Sequence, residues 1–177
     1  ELIRQAKKDG LNVPCETAPH YLIMDDSCLQ EDGRYKMNPP LRGPEDRKAL
    51  IEGLVDGTID MIATDHAPHS AEEKAKGLEK SAFGIVGLET ALPVLYTKLV
   101  KTGLVPLERV VDALCEAPRK RFEIPFGNDF SIWEMETPYT VDPAEFQTMG
   151  RATPFTGETL FGRCVCTVRD GHVIWQE

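Results

Sequence analysis

The sequence has no long hydrophobic run and no excess of positive charge. None of its apolar stretches approaches the roughly 20 residues that a membrane-spanning helix needs, and its start does not resemble a signal peptide. The 29 acidic side chains outnumber the 20 basic ones, which gives a formal net charge of −9. A chain with this charge has no electrostatic reason to bind nucleic acid or an anionic membrane, so we expect neither partner.

Cysteine and histidine are scarce as well. The five cysteines are scattered and lack the paired spacing of a zinc knuckle: Cys15, Cys28, Cys115, Cys164 and Cys166. This pattern favours reduced thiols in a cytoplasmic protein. Of the four histidines, only His66 and His69 lie close together, in the stretch "MIATDHAPHS". This stretch is the first in the chain that is typical of a catalytic or metal-binding site.

The first 126 residues alternate between helix and strand patterns. Apolar residues at helical spacing predict helices within 1–8, 43–57, the second half of 83–103, and 106–122. Short, mostly apolar stretches at 11–19 and 58–65 predict strands. Strands that alternate with helices through short links indicate an α/β fold.

The character of the sequence changes at Gly127. Short strand-like pieces follow, and Asp170 and Gly171 form a turn signal that predicts a hairpin. We therefore expect a small β appendage over 127–177 after an α/β part over 1–126. The chain begins inside an amphipathic pattern with no capping residue ahead of it, so we also expect it to be part of a longer protein.

Asp65 is the leading candidate for chemistry because it ends the predicted strand 58–65. Barrels with parallel strands build their active sites at this end of the strands. A carboxylate there suits a divalent metal ligand and a proton carrier, but it equally suits a cap for the following loop. His69 suits a donor to an anionic substrate, or else a solvated loop residue. For His66 we expect a packing or hydrogen-bonding role within the fold.

Three other strings carry weaker signals. In "YKMNPPLR", two prolines fix the backbone after Asn38, which aims its amide at a ligand or simply makes a rigid turn. In "ETAPHY", His20 follows a strand, where a single histidine is more often structural than metal-binding. In "FGIVGLET", the N–H groups near Phe83 and Gly84 suit a carboxylate or a plain helix-entry turn. One acidic residue and one or two histidines fall short of the three or so ligands of a metal hydrolase.

The strings "ETAPHYL", "YKMNPPLR", "GTIDMIATDHAPH" and "FGIVGLETALPVLYT", in this order and spacing, resemble dihydroorotases of the bacterial long-chain type. These enzymes belong to the amidohydrolase superfamily, and the resemblance extends to "TVDPAEFQTMGRATPFTGETLFGR". It implies a TIM-type (β/α)8 metal-dependent barrel, of which 1–126 would be the C-terminal part. Residues 127–177 would then be part of the family's small β domain.

The resemblance also implies an activity and a set of site residues. The activity is the zinc-dependent, reversible cyclisation of N-carbamoyl-L-aspartate to L-dihydroorotate in pyrimidine biosynthesis. In the ring-opening direction of this reaction, a metal-bound hydroxide attacks the ring carbonyl. By its place in the motif, Asp65 would be a zinc ligand and the general acid/base. His69 would hold the substrate carboxylate, Asn38 would contact the ring, and the backbone at Phe83 and Gly84 would close over the substrate.

The family's other metal ligands precede the "ETAPHY" region and are absent from this chain. They comprise an H-x-H pair, a bridging acidic residue and two further histidines, and His20 is not among them. The resemblance therefore implies one or two zinc ions in the complete enzyme. We expect this chain alone to be inactive and to bind zinc weakly.

Other functions stay open at the level of sequence. Dihydropyrimidinases and allantoinases share the fold, although His69 and the "MNPPLR" string favour a substrate that carries a carboxylate. A further alternative is a catalytically inactive homologue that serves as a structural partner of aspartate transcarbamoylase. As for assembly, a homodimer also stays open. An independent binding module ranks last, because the first helix is cut at Glu1.

Overall fold

The computed structural model describes residues 1–177, and it contains eight short α-helices and seven strands. The helices are α1 (Leu2–Lys8), α2 (Pro19–Ile23), α3 (Pro44–Val55), α4 (Ala71–Lys74), α5 (Gly77–Lys80), α6 (Ala91–Leu95), α7 (Leu107–Val111) and α8 (Ala117–Arg121). The strands are β1 (Glu16–Thr17), β2 (Met61–Ile62), β3 (Phe130–Glu134), β4 (Tyr139–Thr140), β5 (Thr159–Leu160), β6 (Arg163–Arg169) and β7 (His172–Gln176). None of the helices has the length and apolarity needed to cross a membrane.

The predicted helix within 43–57 is confirmed as α3, and its ends follow from its sequence. Pro44 opens the first turn, where its missing N–H leaves no hydrogen bond unmade. Glu45 and Asp46 place negative charge beside the free N–H groups of that turn. The helix stops just before Gly57, whose φ of 81° lies in the left-handed region that glycine adopts without strain.

The other predicted helices are also found, and two of them continue into the wider π-helical conformation. Helix α6 continues into the π-helical turn Tyr96–Val100, and α7 continues into the π-helical turn Asp112–Glu116 before α8. Pro93 lies in the first turn of α6, where it interrupts no helical hydrogen bond. The helix predicted in the second half of 83–103 is therefore confirmed, and Pro93 does not interrupt it.

The α/β class is confirmed by a parallel pair of strands. Strand β1 pairs with β2 so that Glu16 lies opposite Met61 and Thr17 opposite Ile62. The connection between them contains α2 and α3, and α2 packs against both α3 and α6. A single parallel bridge from His66 to Ile85 extends this arrangement by one more segment. The chain supplies two parallel strands and does not close a barrel.

One hydrophobic core lies between this pair and the helices around it. Its fully buried members come from successive elements, with Leu22 in α2, Leu54 in α3 and Leu95 in α6. The C-terminal region contributes to the same cluster through Val141, Phe155 and Leu160. The segment that contains β4 and β5 is thus packed onto the α/β part.

The C-terminal sheet has the order β3–β6–β7 and is antiparallel throughout. Asp170 and Gly171, with φ of 49° and 78°, form the tight turn of the predicted hairpin between β6 and β7. One face of the sheet lines a cleft of about 520 Å³, which residues 139–147 border on the other side. The other face leaves large apolar side chains such as Ile132 and Ile174 exposed.

Two stretches differ from the sequence-based interpretation. The residues around His20, which follows a predicted strand, form the short helix α2, which begins at Pro19. The charged stretch from Ser70 to Lys80, for which no helix is predicted, contains α4 and α5. Ser70 and Glu73 form a reciprocal capping box at the start of α4, and this local signal was present in the sequence.

Candidate active site

The parallel register of β1 and β2 brings Asp65 and His20 together. Both residues follow the carboxyl ends of their strands, which meet at one edge because Thr17 lies opposite Ile62. The Oδ2 atom of Asp65 lies 3.9 Å from Nε2 of His20. The Asp65 side chain is 47% exposed and its backbone has a φ of 50°, a conformation that Asp tolerates better than most residues. The carboxylate therefore sits at a strand end and remains open to solvent.

The imidazole of His20 is only 1% exposed, and its Nε2 atom has no hydrogen-bond partner. Burial lowers the pKa of His20 to about 4, so this ring is neutral at neutral pH. The separation of 3.9 Å from Asp65 is too long for a direct hydrogen bond. His20 thus presents an unused ring nitrogen towards the Asp65 carboxylate.

The neighbouring Tyr21 links this edge to the loop that carries Asn38. Its hydroxyl donates to the carbonyl oxygen of Pro39 at 2.7 Å. Burial, together with the charge of Asp65, raises the pKa of Tyr21 to about 12, so the phenol keeps its proton as a donor. Asn38 is exposed on the segment that this hydrogen bond holds.

His66 makes the structural hydrogen bonds expected of it. Its Nδ1 atom accepts from the backbone N–H groups of Gly87, at 3.3 Å, and of Leu88, at 3.1 Å. These bonds, with the parallel bridge from His66 to Ile85, join the loop after β2 to the segment that enters α6. Nδ1 of His66 therefore carries no proton and is occupied by the fold.

His69 is also engaged with the protein. Its Nε2 atom lies 2.8 Å from the carbonyl oxygen of Phe83, and its Nδ1 atom lies 3.6 Å from the Glu73 carboxylate. A carbonyl oxygen can only accept, so Nε2 carries the proton of this hydrogen bond. To donate from Nε2 to a substrate carboxylate, His69 would have to exchange the Phe83 carbonyl for the substrate.

Phe83 and Gly84 lie directly over the loop that carries His69. The Gly84 N–H donates to the Lys36 carbonyl at 3.0 Å, and the Lys36 ammonium lies 4.5 Å from the centre of the Phe83 ring. A Cβ at Gly84 would come within 2.6 Å of the Ala67 Cβ, and the φ of 127° also excludes most side chains. Glycine at 84 is what allows these two backbones to touch.

Lys74 is a residue of this region that the sequence did not single out. Its side chain is 6% exposed, and its ammonium donates to the carbonyls of Gly84 at 2.6 Å, Ala82 at 2.8 Å and Lys36 at 3.2 Å. Burial lowers the pKa of Lys74, and the nearby charge of Lys36 lowers it further. A lysine in a charged stretch normally indicates a solvated surface, so no local signal pointed to its burial.

The residues of this chain do not make a metal site by themselves. No group of three or more histidine, cysteine, aspartate or glutamate side chains is close enough to hold a metal ion. At the candidate site, only Asp65 and the nitrogen of His20 face each other, and His66 and His69 are turned to backbone groups. Zinc normally takes about three or four protein ligands, so a zinc ion here would need ligands from outside this chain.

Comparison with known proteins gives a consistent set of relatives. No family model matches the chain. Dihydroorotases from Halalkalibacterium halodurans and Listeria innocua are 50% and 48% identical to it, over 99% of this chain and 43% of each relative. The chain is therefore homologous to dihydroorotases along its whole length, and it spans less than half the length of these relatives.

Solved structures give the same picture of the fold. An L-hydantoinase (dihydropyrimidinase) from Arthrobacter aurescens matches with a TM-score of 0.90 and 34% identity, over 99% of this chain and 42% of that one. The inactive dihydroorotase-like domain of a CAD-like multifunctional protein from Chaetomium thermophilum matches with a TM-score of 0.71 and 28% identity, over 97% and 46%. The chain thus has the mixed α/β fold of the corresponding part of these proteins.

Proposed function

We propose that this chain, a homologue of bacterial dihydroorotases, is part of an enzyme that interconverts N-carbamoyl-L-aspartate and L-dihydroorotate in pyrimidine biosynthesis. The observation that carries the proposal is identity of 47% to 50% with several dihydroorotases over 99% of the chain. Residues 1–126 would be the C-terminal part of a (β/α)8 amidohydrolase barrel, and 127–177 part of a small β domain. The two parallel strands of this chain would then continue into strands outside it.

Asp65 is the residue we assign to proton transfer. Opening the dihydroorotate ring breaks an amide C–N bond, and the leaving nitrogen must gain a proton. A carboxylate that takes a proton from the attacking water can return it to that nitrogen, so one group serves both steps. The position of Asp65 at a strand end and its solvent exposure support this role. Asp65 would also be this chain's contribution to a zinc site, with the other ligands supplied from outside the chain.

Four residues are assigned to substrate binding: Asn38, His69, Phe83 and Gly84. They are carried by three loops that hydrogen bonds join at one edge of the parallel pair. Asn38 would bind the dihydropyrimidine ring, and the backbone at Phe83 and Gly84 would close over it. Nε2 of His69 would donate to the substrate carboxylate instead of to the Phe83 carbonyl. The substrate would thus be a small anionic molecule. The enzyme would be cytoplasmic.

The observation that favours a second candidate is the structural match to an inactive dihydroorotase-like domain. In that case the complete protein would be a non-catalytic partner of aspartate transcarbamoylase. The match to an L-hydantoinase keeps another cyclic amidohydrolase as a third candidate. These alternatives make different predictions for zinc content and for the substrate.

The test is an assay of the full-length protein for zinc and for dihydroorotate hydrolysis. We expect bound zinc, turnover, and a loss of about 10²- to 10⁴-fold in kcat/KM for Asp65→Asn, since general acid/base groups contribute on this scale. Asp56→Asn is the matched control, because Asp56 caps the end of α3 and pairs with Arg4 away from the site. It should leave kcat/KM unchanged.

Other outcomes would decide between the candidates. A full-length protein with neither zinc nor turnover would favour the non-catalytic partner. Faster turnover of uncharged dihydropyrimidines than of dihydroorotate would favour the hydantoinase reading. We expect the 177-residue chain alone to be inactive, and measurable turnover by it would contradict our assignment of the missing ligands.

A further inference from the structure

Lys74 is a buried cation that makes no ion pair. The ammonium group donates instead to three backbone carbonyls, which belong to two separate loops. One acceptor is Lys36, on the loop that leads to Asn38, and the other two are Ala82 and Gly84. A buried ammonium needs such charge-assisted hydrogen bonds to offset its lost hydration. The two loops are therefore tied together by a single side chain.

The three carbonyls at residues 82 to 84 alternate in direction. Those of Ala82 and Gly84 face the Lys74 ammonium, whereas that of Phe83, between them, accepts from Nε2 of His69 at 2.8 Å. The chain bends at Phe83, and fixing the carbonyls of the residues on either side restricts the direction of the carbonyl between them. Lys74 lies on one side of this segment and His69 on the other.

The backbone of Lys74 is itself fixed by neighbouring residues. Its own carbonyl accepts from the Ser81 hydroxyl at 3.0 Å. A Cβ at Gly33 would come within 2.2 Å of the same carbonyl oxygen, so the backbone of α4 lies against residue 33 with no space between them. The ammonium therefore extends from an anchored backbone, and it can position the loops that it binds.

We propose that Lys74 is a positioning residue, whose ammonium sets the direction of the Phe83 carbonyl and through it the orientation of the His69 ring. Lys74 does not touch the substrate in this scheme. In the ligand-free protein it holds the backbone at Phe83 and Gly84 in place and keeps the His69 proton on Nε2, the atom that would then donate to the substrate carboxylate. The catalytic part of the inference rests on the proposed function, but the structural part does not.

The competing explanation is that Lys74 merely stabilises the fold. Lys7 offers a matched control for this, since its ammonium also donates to two backbone carbonyls, those of Gly57 and Thr58, and pairs with Asp60. Lys7 lies on α1 and makes none of its contacts with the 82–84 segment. A general loss of stability should appear in Lys7→Met as well as in Lys74→Met.

The first measurement is hydrogen exchange in the full-length protein, followed by mass spectrometry. The reporter peptide covers residues 82–87, which contain the Gly84 N–H bound to the Lys36 carbonyl. The reference peptide covers 61–64, where the Ala63 N–H donates to the Thr17 carbonyl within the parallel pair. In Lys74→Met we expect exchange to rise about tenfold or more in the reporter and to stay unchanged in the reference, because charged hydrogen bonds are lost locally. Lys7→Met should leave the reporter unchanged.

Ser81→Ala provides a milder variant if Lys74→Met does not fold. It removes the hydrogen bond that anchors the Lys74 backbone and leaves the ammonium in place. We expect a smaller rise in exchange, confined to the same reporter peptide. An unchanged reporter in Ser81→Ala, with Lys74→Met unfolded, would overturn the proposal in favour of a stabilising role.

The second measurement is the kinetics of dihydroorotate hydrolysis. Lys74→Met should raise KM about tenfold and change kcat by less than about threefold, since it disturbs substrate contacts and leaves the proton carrier in place. Lys74→Arg keeps the charge and the donors and should recover part of the loss. Lys7→Met should change neither constant. Equal effects of Lys74→Met and Lys7→Met would overturn the proposal.

The two measurements separate the inference from the proposed function. If the unaltered full-length protein does not turn over dihydroorotate, the proposed function fails and the hydrogen exchange alone decides the role of Lys74. If it does turn over dihydroorotate but the reporter peptide is insensitive to Lys74→Met, the inference fails and the proposed function stands.

Discussion

The smaller of the two sheets in this protein is the better buried one. The parallel pair β1–β2 has two residues in each strand, yet helices cover it and Met61 and Ile62 are buried. The antiparallel sheet β3–β6–β7 has five to seven residues in each strand, yet apolar side chains on it stay exposed. The candidate site lies on the smaller sheet. Burial and function here depend on what packs against a strand, and the length of its hydrogen-bonded ladder does not decide them.

The largest effect on stability should come from a substitution that removes packing between the C-terminal region and the core. Phe155 is 2% exposed and lies in the core cluster, whereas Phe130 on β3 is 54% exposed. We expect Phe155→Ala to lower the free energy of unfolding by about 3–5 kcal/mol, and Phe130→Ala by less than about 1 kcal/mol. Urea unfolding of both variants measures the difference. Equal costs would mean that the exposed sheet is covered in solution.

A smaller effect should distinguish two glycines with positive φ. At Gly84 a new Cβ would meet the Cβ and the carbonyl of Ala67, whereas at Gly171, in the hairpin turn, it would meet nothing within 4 Å. Both alanine variants carry backbone strain, which costs of the order of 1 kcal/mol. Only Gly84→Ala adds a clash with backbone, so we expect it to cost at least about 2 kcal/mol more.

The measurement is thermal unfolding of both alanine variants. If Gly84→Ala proved as mild as Gly171→Ala, the 83–85 segment would be able to move away from the loop after β2. The close contact between these loops, on which the site depends, would then be weaker than we infer.

The smallest effect concerns Asp56, whose contribution to stability should depend on pH. Hydrogen bonds from Thr58, then from Arg4, lower the pKa of Asp56 to about 2. Because the native state favours the charged form, the stabilisation is complete above about pH 4 and is lost as the pH falls towards about 2. The side chain is 44% exposed, so solvent screening should keep the effect below about 1 kcal/mol.

Urea unfolding of Asp56→Asn across this pH range checks the prediction. The stability difference from the unaltered protein should be constant near neutral pH and should disappear near pH 2. A difference that does not depend on pH would assign the contribution of Asp56 to packing. Glu134→Gln is the corresponding change on the exposed sheet, where backbone N–H groups of Glu136 and Thr137 lower the pKa of Glu134.

The sequence predicted those elements whose signals are local. The ends of α3 follow from Pro44 and Gly57, and the hairpin follows from Asp170 and Gly171. The α/β class follows from strands that alternate with helices. Strand lengths were overestimated, because 58–65 was expected as one strand and only Met61–Ile62 pairs with a neighbour. Pairing depends on what lies beside a strand, and apolar residues alone do not specify it.

Features that depend on distant residues were not predictable from one sequence. The position of His20 beside Asp65 requires the register of β1 and β2, which no local pattern encodes. The burial of Lys74 requires the loops at 36 and 82–84 to converge on it. The assignments of Asp65, Asn38, His69, Phe83 and Gly84 came from the resemblance, and they stay predictions until variants are measured.

The open face of the C-terminal sheet has a consequence for how molecules of this protein behave towards one another. Ile132 and Ile174 offer an apolar surface that two copies can share, and the outer edges of β3 and β7 have free backbone groups. A net charge of −9 keeps such molecules apart at neutral pH. The repulsion between copies is lost near the isoelectric point of about 5.0, where the net charge is zero, so solubility should be lowest there.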